Sequence, residues 1–204
     1  MVYFLTKSSK KQIKWLNSFA QENQYKVETQ SKDFVYEITS QPPQPKWKMR
    51  AYSRSATTLD TYMHASREYT EWIMEGNFSY GEAYIIPRDA SWKVMSDEKI
   101  LSFLKPVWSN MGIPVDDFTA YQLPDEEITA SYMIFCNEQL SIKKLFTASF
   151  LEELKGWNSL SRKKTRISIR TTSSKIELQV GDAINDRELA KKLIQLGLII
   201  AESK

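Results

Sequence analysis

Catalytic chemistry has few side chains to draw on in this chain. His64 is the single histidine and Cys136 the single cysteine among 204 residues. A lone histidine cannot make the paired spacing of a zinc-binding helix, and one cysteine cannot contribute to a multi-thiolate cage or an internal disulfide. A nucleophile–histidine–acid triad would have to use His64 itself. The surrounding pattern places His64 on the polar face of an expected helix, beside Asp60, Arg67, Glu68 and Glu71, so it reads as a solvated side chain. Cys136 closes the apolar run Tyr132-Met133-Ile134-Phe135 and reads as a small core residue. Six glycines are arranged in neither a Walker A sequence, a Gly-x-Gly-x-x-Gly turn nor a Gly-x-Ser-x-Gly elbow.

Carboxylates are the remaining candidates for catalysis. Asp116-Asp117, Asp125-Glu126-Glu127 and Glu152-Glu153 are adjacent in sequence, and adjacent side chains diverge on helices and strands alike. Pro124-Asp125 opens a nuclease-like pattern, but the Glu-x-Lys it needs is missing; Glu177-Leu178 is followed by Gln179. A hard-metal site from Asp116, Asp125, Glu177 and Asp182 is therefore kept only as a second alternative. No cofactor is expected.

Two segments carry binding chemistry instead. In the stretch from Lys46 to Arg54, Trp47, Met49 and Ala51 alternate with Lys48, Arg50, Tyr52 and Arg54. That period of two makes a half-buried strand whose outer row combines cations with a stacking ring, the chemistry of single-stranded nucleic-acid surfaces. The plainer reading is a strand edge guarded by charge. The second segment, Arg162 to Arg170, holds five cations in nine residues. Ile167 and Ile169 face inward there, leaving Arg166, Ser168 and Arg170 outside, where Lys175 can join them from a paired strand. Its plainer reading is pairing with acidic residues of the same protein.

Charge is divided along the chain. Residues 1–56 carry a net +6, residues 57–160 a net −8 and residues 161–204 a net +5. If the two basic strands share an uninterrupted face, nucleic acid is favoured; if they meet the acidic middle, the asymmetry is internal packing. For a protein partner, the candidate contacts are Trp72 and Trp92, as aromatic anchors, and the acidic turn Asp125, Glu126 and Glu127.

The elements that must position these residues are legible in outline. Val2–Leu5, residues 34–38, 46–54, 78–86, 118–123, 128–136, 165–170 and 175–180 read as strands. Helices are expected from Ser8 or Ser9, over 57–76, from Ser96 with a kink or break at Pro106, over 139–155 and from Asn185, with Gly76, Gly156 and Gly197 as stops. Gln41-Pro42-Pro43-Gln44-Pro45 is a loop. The fold class is α+β: mainly antiparallel sheets with helices on one face, the second half reading ββα-ββα. Gly112-Ile113-Pro114 divides a 1–112 subdomain from a 113–204 subdomain, unless the two form one continuous domain. Hydrophobic residues make up 42% of the chain, without a run of the roughly 18 apolar residues that a membrane span needs. With a lone thiol, this points to a cytoplasmic protein and to no membrane partner.

The expected function is that of a non-enzymatic binding or regulatory protein acting through a protein partner. Nucleic-acid binding through Lys48, Arg50, Tyr52, Arg54, Arg166, Arg170 and Lys175 is the alternative. No oligomeric state is assigned.

Overall fold

The computed structural model describes residues 7–29, 35–53, 68–92, 94–160 and 166–203. In chain order the elements are α1 (Lys7–Asn23), β1 (Lys26–Thr29), β2 (Tyr36–Thr39), β3 (Trp47–Ser53), β4 (Glu68–Glu75), β5 (Ala83–Pro87), α2 (Asp97–Asn110), β6 (Thr119–Ala120), α3 (Glu126–Ser131), β7 (Tyr132–Cys136), α4 (Gln139–Lys143), α5 (Ala148–Leu160), β8 (Ile167–Thr171), β9 (Lys175–Val180) and α6 (Arg187–Glu202). The strands form one antiparallel sheet of nine, ordered β1-β2-β3-β4-β9-β8-β5-β7-β6. The protein is thus α+β around an antiparallel sheet. The β8–β9 hairpin, from the end of the chain, lies between β4 and β5, so both halves of the sequence share the sheet.

Strand alternation gives the sheet two unlike faces. Ile38, Met49, Ala51, Trp72, Leu178, Ile169, Ile85 and Ile134 all point to one side and are buried together with Leu16 and Phe19 of α1, Phe150, Leu154 and Trp157 of α5, and Leu193, Leu196 and Ile200 of α6. This helix face is the main core. Among the described residues the opposite face is covered only at the β5–β7 end, where Ile100, Leu101 and Trp108 of α2 pack on Met133 and Phe135. Helices on one face therefore describe α1, α5 and α6, and α2 departs from that expectation because β7 is apolar on both sides. Burying β7 on both sides requires a second layer.

Trp72, at the centre of β4, is fully buried against α6. A Cβ added at Gly197 would lie 2.6 Å from the Trp72 ring, so only glycine lets the helix sit this close. At about 25 cal/mol per Å², burying an indole of roughly 150–250 Å² contributes on the order of 4–6 kcal/mol. Both ends of α6 are tied down. Tyr36 Oη donates to the Ile184 carbonyl (2.6 Å), and Thr70 Oγ1 accepts from Ile184 N–H (2.8 Å) and donates to the Asp182 carbonyl (2.9 Å). Asp186 accepts from the N–H groups of Glu188 and Leu189, capping the first turn. At the far end, Tyr80 Oη donates to the carbonyls of Ile200 and Ser203.

Several expected elements take another form. Glu68–Glu75 is a strand, not the second half of a helix, because β4 pairs along its length with β3 and β9; the first half of that expected helix, His64 included, lies outside the described residues, as does the expected strand Val2–Leu5. The second half runs β6-α3-β7-α4-α5-β8-β9-α6, so of the ββα units only β8-β9-α6 is contiguous. Residues 126–131 are helical because Asp125 accepts the Ile128 N–H and starts a turn. The expected helix over 139–155 divides into α4 and α5, with Thr147 Oγ1 accepting the Phe150 N–H at the break. Asp186 caps α6 instead of Asn185. Gly156 and Gly197 lie within helices, and α2 passes through Pro106 as one assigned helix.

The two helical glycines should respond differently to alanine. Gly197→Ala should lower the stability measured by urea unfolding by about 1–3 kcal/mol through overpacking on Trp72. Gly156→Ala meets only the flexible end of Lys192, at 3.1 Å, and should be neutral or gain up to about 1 kcal/mol of helix propensity. Equal effects at the two sites would contradict the packing described.

Candidate functional site

With α1, α5 and α6 on the helix face, the charged side chains of the central strands are gathered on the other one. Opposed positions there line up in rows across the sheet. One row reads Glu37, Arg50, Glu71, Gln179, Ser168 across β2, β3, β4, β9 and β8. The next reads Thr39, Lys48, Ile73, Glu177, Arg170, Tyr84, where Tyr84 of β5 meets the α2 layer. On β1–β4, β8 and β9 this open face carries Lys26, Lys48, Arg50, Arg170 and Lys175 against Glu28, Glu37, Glu71, Glu75 and Glu177, so the charges at its paired strand positions balance.

Most of these charges are engaged locally. Arg50 Nε donates to the Glu37 carboxylate, Lys26 pairs with Glu28 at 2.6 Å and Lys175 with Glu177 at 2.8 Å. Tyr52 donates to Glu71 and stacks on Tyr69, the ring centroids 4.3 Å apart and nearly parallel. Burial first, and then the Glu71 hydrogen bond, hold the Tyr52 hydroxyl protonated well above the ordinary tyrosine range.

Arg170 is different. Lys175 takes the carboxylate opposite it, and Arg170 forms no ion pair with a described residue. Its guanidinium lies 5.3 Å from the centroid of the Tyr84 ring, a cation–π arrangement. The Arg170 Nε and the Tyr84 hydroxyl are both buried without a hydrogen-bond partner among the described residues. Tyr84 also stacks on Trp108 of α2 at 4.9 Å, and burial pushes its pKa up to about 12. At the other end of the row, Lys48 borders a cavity of about 620 Å³ shared with Pro42, Gln44, Lys46, Ile73 and Glu75. That volume falls in the range of ligand or side-chain pockets. Lys46 and Lys48 form no ion pair with a described residue either.

Lys48, Arg50, Tyr52, Arg170 and Lys175 thus share one face, as one arm of the sequence reading required, but Glu37, Glu71 and Glu177 stand among them, as the other arm did. Arg166 is exposed at the start of the β8 segment and donates to the Arg88 carbonyl at 2.7 Å. Arg54 and the cations at 162–164 lie outside the described residues. The residues proposed for protein contact are dispersed. Trp72 is a core side chain with no surface to offer. Trp92 is half-buried against the α2 cluster. Asp125 caps α3 and pairs with Lys155 at 2.7 Å, with Glu127 3.6 Å from the same ammonium, and Glu126 is exposed. The Lys155 ammonium, then the Ile128 N–H, hold the Asp125 carboxyl below the usual range. Among the described residues no three His, Cys, Asp or Glu side chains converge on a possible metal position. No described helix is long and apolar enough to cross a membrane.

Tyr69, Glu71, Ile73 and Tyr84 were not expected in a site. The signal for the first three was the alternation of Tyr69, Glu71 and Ile73 with Thr70, Trp72 and Met74, a period of two inside a segment read with a period of 3.6. The unpartnered hydroxyl makes Tyr84→Phe a clean substitution. It should leave stability unchanged or raise it by up to about 1 kcal/mol in thermal or urea unfolding, because a buried donor without a partner is removed. A loss of 2 kcal/mol or more, well beyond that range, would show that the hydroxyl is satisfied.

No family model matches the chain, and no curated protein matches it. Among solved structures it is similar to the crystal structure of the mycobacterial trehalose monomycolate transport factor A, TtfA, with a TM-score of 0.51 and 5% sequence identity over 96% of this chain and 93% of that one. The likeness is one of fold, extending over nearly the whole length of both chains.

Proposed function

We propose that this is a non-enzymatic, cytoplasmic binding protein with a regulatory role, and that its open sheet face receives a partner protein. The observation that carries the reading is the pairing of charge on that face. A surface for nucleic acid gathers cations so that phosphates replace condensed counterions. Here each row interleaves both signs, and a polyanion would lie over Glu37, Glu71 and Glu177 as well as over the cations. Balanced charge with stacked tyrosines and an arginine held on an aromatic ring suits a protein surface, where aromatic and arginine side chains supply anchors and alternating charge supplies register.

The nucleic-acid reading draws on the same side chains and remains the alternative. A photo-crosslinking residue in place of Ser168, at the β8 end of the face, separates the two in native lysate. The expected result is a nuclease-resistant protein adduct from position 168 and none from position 191, an exposed site on α6. Adducts that disappear with nuclease, or equal protein adducts from both positions, would overturn the proposal.

A further inference from the structure

The two cations that form no ion pair with a described residue in the row Lys48–Ile73–Glu177–Arg170 describe the shape of what they would bind. Lys48 is on β3 and Arg170 on β8, three strand intervals apart. At about 4.8 Å per interval this is roughly 14 Å, matching four residues of extended chain at about 3.4 Å each. In an extended chain every second side chain falls on the same side. A segment crossing these strands with residues i and i+4 above Lys48 and Arg170 would therefore turn residue i+2 down between them, towards Ile73 and the cavity it lines. Glu177 does not oppose such a ligand strongly, because Lys175 already neutralises it at 2.8 Å. Arg170 is only half-buried, and a carboxylate is the acceptor that its planar fork fits best.

We infer that the open face takes an extended acidic segment of the partner protein, laid across β3 to β8, with carboxylates four residues apart on Lys48 and Arg170 and an apolar side chain between them over Ile73. This rests on the reading that the face binds protein. It goes further in naming the chemistry of the bound segment. A nucleic acid fits less well, because its closely repeated phosphates would also meet Glu71 in the neighbouring row.

Fluorescence anisotropy of the full chain with labelled peptides tests this at low ionic strength. The probe is Gly-Ser-Asp-Thr-Leu-Thr-Asp-Ser-Gly; the controls are the same peptide with both aspartates changed to lysine, and one with the aspartates adjacent. Saturable binding of the probe is expected, weaker by about tenfold or more in Arg170→Glu and for the adjacent-aspartate peptide. The lysine peptide should bind the double variant Lys48→Glu/Arg170→Glu in preference to the parent protein. If a variant fails to fold, as read by its circular dichroism, the spacing comparison on the parent protein still decides. No binding of the probe, equal binding of the two spacings, unchanged affinity in a folded Arg170→Glu, or an oligonucleotide of equal charge binding more tightly would overturn the inference. Capture of a protein from position 168 without probe binding would remove the acidic-segment inference and leave the protein-binding reading standing.

Discussion

Contact between Trp72 and Gly197 sets the spacing on which the rest of the architecture depends. The largest side chain on the central strand lies under the one residue of α6 that has no side chain, so the helix settles directly on β4 and β9. Tyr36, Thr70 and Tyr80 then hold the two ends of the helix through hydrogen bonds to backbone carbonyls and an amide. Between α5 and α6, Glu153 receives both Lys192 and Gln195. The helix face is thereby filled, and the charged side chains that alternate with its core residues are all directed to the other side.

That arrangement accounts for the uneven distribution of charge along the chain. The acidic middle of the sequence contributes Glu71 and Glu75 to β4, while the basic first third contributes Lys48 and Arg50 to β3 and the basic last third contributes Arg170 and Lys175 to β8 and β9. Antiparallel pairing interleaves these segments, so opposite charges far apart in sequence become neighbours in a row. Exposed pairs of this kind are worth only a few tenths of a kcal/mol each. Their larger effect is on register and on the choice of partner, since a one-residue slip would take charged side chains such as Arg50 away from their opposites and turn core side chains outward. Arg170 stands apart because Lys175 occupies the carboxylate that its own pairing position would offer.

How much of this was legible in the sequence depended on whether the signal was local. The period of two over Lys48–Tyr52 and over Ile167–Arg170 gave β3 and β8 with the correct faces, and Lys175 was expected on the strand paired with β8. β4 was misread because Tyr69 and Ile73 also satisfy a helical spacing, and only pairing with β3 and β9, remote in sequence in the second case, decides between the two. β1 has a single inward apolar residue, Val27, too short a pattern to register. Gly197 looked like a helix stop because its purpose, close approach to Trp72, exists only in the folded protein. The site followed the same rule. Its cations could be named from the sequence, whereas their acidic neighbours follow from strand order, and the diversion of Glu177 from Arg170 follows from the Lys175 contact along β9.

The central claim is that the open face is balanced internally and addressed to protein. The most direct measurement is the titration of a labelled single-stranded oligonucleotide with the full chain across a range of salt. The account predicts no saturable binding even at about 20 mM salt, because few cations are free to replace counterions. Tight binding at low salt that falls by a factor of roughly a hundred or more by about 200 mM would mean that several cations act together on phosphates, and would contradict it.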